Sequence, residues 1–212
     1  RDRYGHPEPY GVKYWHIGNE VDGEPWQAVA LSSEEYVSYA QDVTTIMYYV
    51  NRDCQTCTQP VFIVMGSSWI FHDGEPADWV QWNQDVIDGL IARRNIEYIA
   101  IHRYWGTGLN KEIENDRVPH VFLGDWERHL NDYISTTENQ IKIAKIKNHV
   151  PNKPFYIAFT EWAPRGRNHM STLAGALHFN TFLRHANYVK RANFTMFISL
   201  LSWGRDGQTY KS

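Results

Sequence analysis

The sequence predicts an α/β fold, a partial (β/α)8 TIM barrel with approximately strands four to eight and their helices. Strand-like apolar runs alternate with helical patterns about five times along the 212 residues, which is typical of a parallel sheet covered by helices. No Gly-rich phosphate loop follows the first run, and this disfavours the dinucleotide-binding form of a doubly wound sheet. Polar residues follow the runs where barrel enzymes build their sites. These residues are Asn19-Glu20, Gly66-Ser67-Ser68, His102-x-Tyr104 and Glu161-Trp162.

The first half of the chain predicts strand, helix and strand. Tyr14 to Asn19 is a short strand-like run with a polar tip. Ser32 and Glu35 have the spacing of a capping box at the start of a helix. The apolar residues that follow at helical spacing are Tyr36, Ala40, Val43, Met47 and Val50. Pro60 stops this helix from extending, and Val61 to Met65 is an apolar run suited to a buried parallel strand.

The second half continues the alternation. Helical spacing is found at Trp79, Trp82, Val86 and Leu90, and again at Trp126, Leu130, Tyr133, Thr137, Ile141 and Ala144. Between and after these helices lie the predicted strands Tyr98 to His102 and Phe155 to Thr160. A helix from about Thr172 to Ala192 leads to a fifth apolar run, Phe194 to Leu201.

Length and charge set limits on organisation and partners. The chain is predicted to be one domain, residues 1–212, a catalytic-barrel piece whose N-terminal strands and any C-terminal β-domain lie elsewhere, because a full barrel takes about 250 residues. The formal net charge is −3, so nothing demands nucleic acid or an anionic membrane as a partner. No apolar run approaches the roughly 20 residues that span a bilayer. The sequence leaves both compartment, cytoplasmic or secreted, and oligomeric state open.

Cysteine and aromatic content leave several interpretations open. Cys54 and Cys57 lack the further ligands of a zinc site, so a local loop feature is favoured and a disulfide stays possible. The loop His72 to Glu75 suits solvent better than a metal, and we expect neither a metal nor a cofactor. Aromatic residues form 15% of the chain. They suit either a Trp-rich core or a cleft that binds the apolar faces of sugars.

Two glutamates carry the chemistry that we predict. Glu20 and Glu161 each follow a predicted strand and lie beside aromatic residues. A retaining glycosidase needs one protonated and one ionised carboxyl group, about 5–5.5 Å apart. The alternative is that each is an exposed loop residue paired with a nearby arginine.

The sequence around these glutamates resembles the alpha-L-arabinofuranosidases of glycoside hydrolase family 51. Residues 13–27, KYWHIGNEVDGEPWQ, resemble the acid/base segment of that family, and residues 157–162, IAFTEW, resemble its nucleophile strand. Gly66-Ser67-Ser68 and Ile101 to Tyr104 match the ends of its fifth and sixth strands. Residues 180–186 and 189–193 match the helix before its eighth strand.

The resemblance implies a clan A barrel that retains anomeric configuration. It implies that Glu20 protonates the leaving oxygen and then activates water, and that Glu161 attacks as the nucleophile. Asn19 would bind the hydroxyl next to the anomeric carbon, Tyr104 would hold Glu161, and His102 would line the same pocket.

Three positions depart from the family pattern, and two aromatic residues complete the predicted site. Met196 stands where the family often has Gln, and a thioether cannot replace an amide. Pro164 and Arg165 follow Glu161-Trp162 in place of an Asn-Val-Trp-like run. Trp162 and Trp203 are predicted to contact substrate, Trp203 as an aromatic floor under a sugar ring.

The predicted function is therefore a retaining alpha-L-arabinofuranosidase that acts on arabinose-containing oligo- or polysaccharides. One alternative is an endo-acting clan A glycanase, cellulase- or agarase-like, which would explain Met196 and Trp203. Another is a non-catalytic carbohydrate-binding fragment, although the presence of both carboxylates argues against it. Neither nucleic acid nor membrane is an expected partner.

Overall fold

The computed structural model describes residues 5, 10–22, 30–54, 56–67, 79–105, 118–164 and 169–195. Strands and helices alternate through them. In chain order they are β1 (Tyr14–Ile17), α1 (Ser33–Arg52), β2 (Val61–Met65), α2 (Trp79–Leu90), β3 (Ile96–Trp105), α3 (Val118–Lys147), β4 (Tyr156–Pro164), α4 (His169–Arg184) and β5 (Val189–Phe194).

The strands form one five-stranded sheet in the order β1-β2-β3-β4-β5. β1 pairs with β2 in parallel, with Ile17 opposite Val64. β2 pairs with β3 in parallel, with a register shift between Phe62 and Ile63. Sequential order in a parallel sheet with intervening helices is the arrangement of a barrel, so the predicted α/β partial-barrel fold is confirmed.

The chain divides into two compact units, Arg1–Ile101 with Ser135–Ala158, and His102–Ile134 with Phe159–Ser212. In the first unit, all five residues of β2 are buried, as expected for a strand covered on both faces. The Tyr36 ring of α1 stacks on Trp82 of α2, with the ring centroids 5.8 Å apart. In the second unit, Trp162 of β4 packs against Phe179 and Phe182 of α4.

Helix α1 begins as the sequence predicts, but its predicted apolar face is covered only in part. The Ser32 hydroxyl accepts from the amide of Glu35, and the Glu35 carboxylate accepts from the amide of Ser32, which completes the capping box. Tyr36 and Ala40 are fully buried, whereas Val50 is 76% exposed. Periodicity identifies an apolar stripe, but only the neighbouring elements decide how much of it is covered.

The end of the chain differs most from the sequence-based prediction. Helix α4 ends at Arg184 and β5 occupies Val189–Phe194, where the sequence pattern predicts helix to Ala192. The amides of Tyr188 and Val189 both donate to the carbonyl of His185, and this turn ends the helix without a Gly or Pro that would announce it. Most of the predicted strand Phe194 to Leu201 lies outside the described residues.

Two further features concern the cysteines and the membrane. Cys54 and Cys57 form a disulfide in the turn between α1 and β2, which is one of the options that the sequence leaves open.

Among the residues that the structure describes, no helix combines the length and the apolar character needed to cross a membrane.

Candidate active site

Glu20 lies in a tight turn directly after β1. The backbone of Gly18 has φ +83° and that of Glu20 has φ +49°, so both residues adopt left-handed conformations. Glycine reaches this region freely, but for a residue with a Cβ it is unfavourable. The Glu20 side chain is half-buried and Asn19 is exposed. A strained acidic residue at the carboxyl end of a strand is a candidate functional group, because such strain persists only where the surroundings impose it.

Glu161 lies inside a strand rather than after one. The sequence predicts that the fourth strand ends at Thr160, but β4 continues to Pro164, and the Glu161 side chain is 31% exposed. The phenol of Tyr104 donates a hydrogen bond to Glu161 Oε2 at 2.6 Å. A hydrogen bond to an ionised acceptor is short and strong. It therefore restricts the orientation of the Glu161 carboxylate.

His102 lies two residues before Tyr104 on β3, so both side chains point to the same face of the sheet. Its side chain is 1% exposed, and its Nδ1 lies 3.9 Å from Glu161 Oε2. Its Nε2 lies 3.0 Å from Thr160 Oγ1. The second unit thus places a phenol and an imidazole at one carboxylate, an arrangement able to orient a nucleophile.

Trp162 occupies the opposite face of β4 from Glu161, because successive side chains of a strand alternate. It is fully buried. Its indole stacks on the His178 ring at 5.5 Å and meets the Phe194 ring edge-on at 5.0 Å. This burial argues against the predicted contact with substrate, and we assign Trp162 to packing behind Glu161.

No protein-family model matches the chain, but individual proteins do. An intracellular exo-alpha-(1->5)-L-arabinofuranosidase of Acetivibrio thermocellus is 29% identical over 162 residues, which are 76% of this chain and 28% of that protein. The corresponding enzyme of Halalkalibacterium halodurans is 24% identical over 95% of this chain and 40% of its own length. A solved family 51 alpha-L-arabinofuranosidase from Bifidobacterium longum superposes with a TM-score of 0.74 at 22% identity, over 92% of this chain and 40% of that one.

The chain is similar to alpha-L-arabinofuranosidases over most of its length. It spans 28% of the length of the Acetivibrio relative and 40% of the Halalkalibacterium relative. At 22% identity, the Bifidobacterium structure bears on the fold alone. The relationship agrees with the resemblance read from the segments around Glu20 and Glu161.

Several of the predicted positions lie outside the described residues. They are Trp203, Met196, Arg165 and the loop His72 to Glu75. Trp203 therefore stays a prediction. Pro164, the remaining departure from the family pattern, is the last residue of β4.

Sequence reasoning missed two contacts that hold the segment carrying Glu20. The sequence predicts Tyr36 only as part of an apolar helix face, yet its hydroxyl hydrogen-bonds the last residue of β1. Ser67 and Asp22 bond each other through their side chains. The sequence held one signal for this, the polar Gly66-Ser67-Ser68 tip of the second predicted strand.

Proposed function

We propose that the protein carrying this chain is a retaining glycoside hydrolase, an alpha-L-arabinofuranosidase that releases arabinose from arabinose-containing oligo- or polysaccharides. The observation that carries the proposal is the 2.6 Å hydrogen bond from Tyr104 to Glu161. The strained placement of Glu20 and the names of the relatives support it.

In this mechanism Glu161 attacks the anomeric carbon while Glu20 protonates the departing glycosidic oxygen. The C–O bond to the leaving group breaks, and a covalent glycosyl ester forms on Glu161. Glu20, now ionised, removes a proton from water, which attacks the same carbon and releases Glu161. Two inversions give net retention of configuration.

Each remaining residue has one role in the proposal. Tyr104 orients Glu161 before attack, and His102 lies beside the same carboxylate, with its Nδ1 3.9 Å from Glu161 Oε2. Asn19, exposed beside Glu20, binds the hydroxyl next to the reacting carbon. The mechanism requires the carboxyl groups of Glu20 and Glu161 to lie about 5–5.5 Å apart in the working enzyme.

The experiment compares Glu161→Ala and Glu20→Ala in the complete protein that carries this chain, on an aryl arabinofuranoside with a good leaving group. Without Glu161 no glycosyl-enzyme forms, so turnover collapses. Without Glu20 the good leaving group still departs, and the intermediate accumulates as a burst because no base activates water.

Added azide separates the two roles, since it needs no general base. It restores turnover of Glu20→Ala and gives a glycosyl azide of retained configuration, whereas with Glu161→Ala it gives the inverted product. Glu97→Ala, at a half-buried glutamate near the start of β3, is the matched control and keeps wild-type activity. Anomers exchanged between the two variants would mean that the roles are reversed, and full activity in both would remove them from the mechanism.

A further inference from the structure

The segment from Gly18 to Asp22 needs an external restraint. It carries Glu20, and it contains two residues with positive φ. A residue with a side chain in this region costs on the order of 1 kcal/mol, and it persists only where surrounding contacts impose the conformation. The described residues of the first unit supply contacts at both ends of the segment.

The first contact lies where β1 ends. The Tyr36 hydroxyl donates to the carbonyl of Ile17 and accepts from the amide of Met65, both at 2.6 Å. Tyr36 is fully buried. Ile17 lies opposite Val64 in the parallel register, so its carbonyl and the Met65 amide are the groups that a regular parallel ladder would join directly. The hydroxyl lies between them, which separates the ends of β1 and β2 and leaves neither backbone group unsatisfied.

The second contact lies at the far end of the segment. Ser67 Oγ donates to Asp22 Oδ2 at 2.8 Å. Ser67 is itself fixed, because its amide donates to Asn83 Oδ1 of α2 at 2.8 Å, and Asn83 is fully buried. Between these two contacts, the carbonyl of Val21 accepts from the amide of Leu31 at 2.8 Å.

We propose that Tyr36 and the Asp22–Ser67 pair are positioning residues for Glu20. Tyr36 sets the distance between the ends of β1 and β2, directly before the segment begins. Ser67 bonds Asp22 and so fixes the end of the segment. Glu20 is thereby aimed at the glycosidic oxygen before substrate binds. This inference rests on the proposed function, because it gives Glu20 the acid/base role.

Tyr36→Phe is the sharpest test, since it conserves shape and removes only the hydroxyl. The Ile17 carbonyl and the Met65 amide then bond directly, β1 moves toward β2 at this end, and Glu20 moves with it. Misplacement of a catalytic group by about 1 Å can cost a hundredfold in rate. We expect kcat/KM to fall between about tenfold and a hundredfold on aryl glycosides with poor leaving groups, and by less than about threefold on dinitrophenyl glycosides, which need little protonation.

Ser67→Ala and Asp22→Ala test the second contact. Both are expected to make kcat/KM fall more steeply as the pKa of the leaving group rises. Asp22→Asn keeps an acceptor for the serine hydroxyl, so it restores most of the activity that Asp22→Ala loses. A purely structural role would lower activity equally on all leaving groups. The slope of log kcat/KM against leaving-group pKa therefore separates positioning from loss of folded protein.

The chain offers a matched control for each contact. Tyr48 lies on the same helix as Tyr36, and its hydroxyl accepts from Arg94 Nη1 at 2.6 Å. Ser33 Oγ donates to Asp85 Oδ2 at 2.7 Å, a serine–aspartate bond of the same kind that does not involve the Glu20 segment. Tyr48→Phe and Ser33→Ala are expected to keep the wild-type slope.

Glu20→Ala, measured in the same series, separates failure of the inference from failure of the proposed function. If Glu20→Ala steepens the slope while Tyr36→Phe and Ser67→Ala behave like their controls, the acid/base assignment stands and the positioning inference is overturned. If Glu20→Ala itself leaves the slope unchanged, the proposed function fails. Circular dichroism and thermal unfolding of every variant exclude loss of fold as the cause.

Discussion

The two predicted catalytic carboxylates are held by different means. Glu20 takes its position from the backbone, through a turn with positive φ fixed at its ends by contacts to Ile17 and Asp22. Glu161 lies in a regular strand and is held by its own side chain, through the hydrogen bond from Tyr104. Contacts to Ile17 and Asp22 hold the chain around Glu20, whereas Tyr104 contacts the Glu161 carboxylate directly. Substitutions in the two neighbourhoods should therefore have different signatures.

The largest expected effect is a pH dependence of stability that arises from His178, which stacks on Trp162 behind Glu161. Burial lowers the pKa of His178 to about 4, although its hydrogen bond to the Ala174 carbonyl opposes the shift and the charge of Arg103 adds to it. In the unfolded chain a histidine titrates near 6.5. Between these values the unfolded state binds more protons, so this stability is complete above about pH 6.5 and is lost as the pH falls to about 4.

The loss from this one group is expected to reach about 3 kcal/mol in the free energy of unfolding. Urea unfolding of the wild type and of His178→Phe at several pH values in this range measures it. The slope of the free energy of unfolding against pH should be much smaller in the variant, because phenylalanine cannot be protonated. An equal slope in both proteins would show that His178 does not carry the effect.

The second prediction breaks the direct contact on the Glu161 side. Tyr104→Phe removes a charge-assisted hydrogen bond, which is expected to cost about 1.5–3 kcal/mol of transition-state stabilisation and so about tenfold to a hundredfold in kcat. The loss should be similar for good and poor leaving groups, since it concerns the nucleophile. Tyr98→Phe, on the same strand, is the control and should lose little activity. A loss confined to poor leaving groups would move Tyr104 to the acid/base side.

The third prediction concerns Gly66, which directly precedes Ser67, the partner of Asp22. A Cβ on Gly66 would lie 2.6 Å from the carbonyl oxygen of Ala100, and backbone cannot move aside cheaply. Gly66→Ala is therefore expected to lower the free energy of unfolding by about 1–3 kcal/mol. Gly124, in helix α3, has nothing within 4 Å of its added Cβ. Gly124→Ala should raise stability by about 0.5–1 kcal/mol, and urea titration distinguishes the two signs.

The smallest effect sharpens the contrast between the carboxylates themselves. Asparagine tolerates left-handed backbone better than glutamate does, so Glu20→Asn should abolish acid/base catalysis yet raise the free energy of unfolding by up to about 1 kcal/mol. Glu161→Ala removes the partner of Tyr104 and should lower stability instead. Thermal unfolding of the two inactive variants measures the difference. Destabilisation by Glu20→Asn would mean that the turn at Glu20 is not strained.

Sequence reasoning was most accurate where local pattern and packing agree. The capping box at Ser32 and Glu35 and the strand Val61–Met65 are as expected. The capping box depends on residues close in sequence, and the strand was predicted from a continuous apolar run that suits burial on both faces. It was less accurate where a helix ends without Gly or Pro, as at Arg184. It was also less accurate where an apolar stripe extends beyond the elements that bury it, as at Val50. Trp162 shows a third limit, since a residue next to a catalytic candidate on a strand points to the other face.

By itself the sequence determined the α/β alternation, the parallel sheet and the positions of Glu20 and Glu161 along the chain. These follow from periodicity and from motifs in which neighbours in sequence are neighbours in space. The resemblance to a known family implied that Tyr104 holds Glu161, and the structure contains that hydrogen bond. Only the tertiary structure decided that Tyr36 lies between the ends of β1 and β2 and that Asp22 meets Ser67, over separations of 19 and 45 residues. No local pattern specifies such contacts, because they exist only once the packing of helices and strands brings distant segments together.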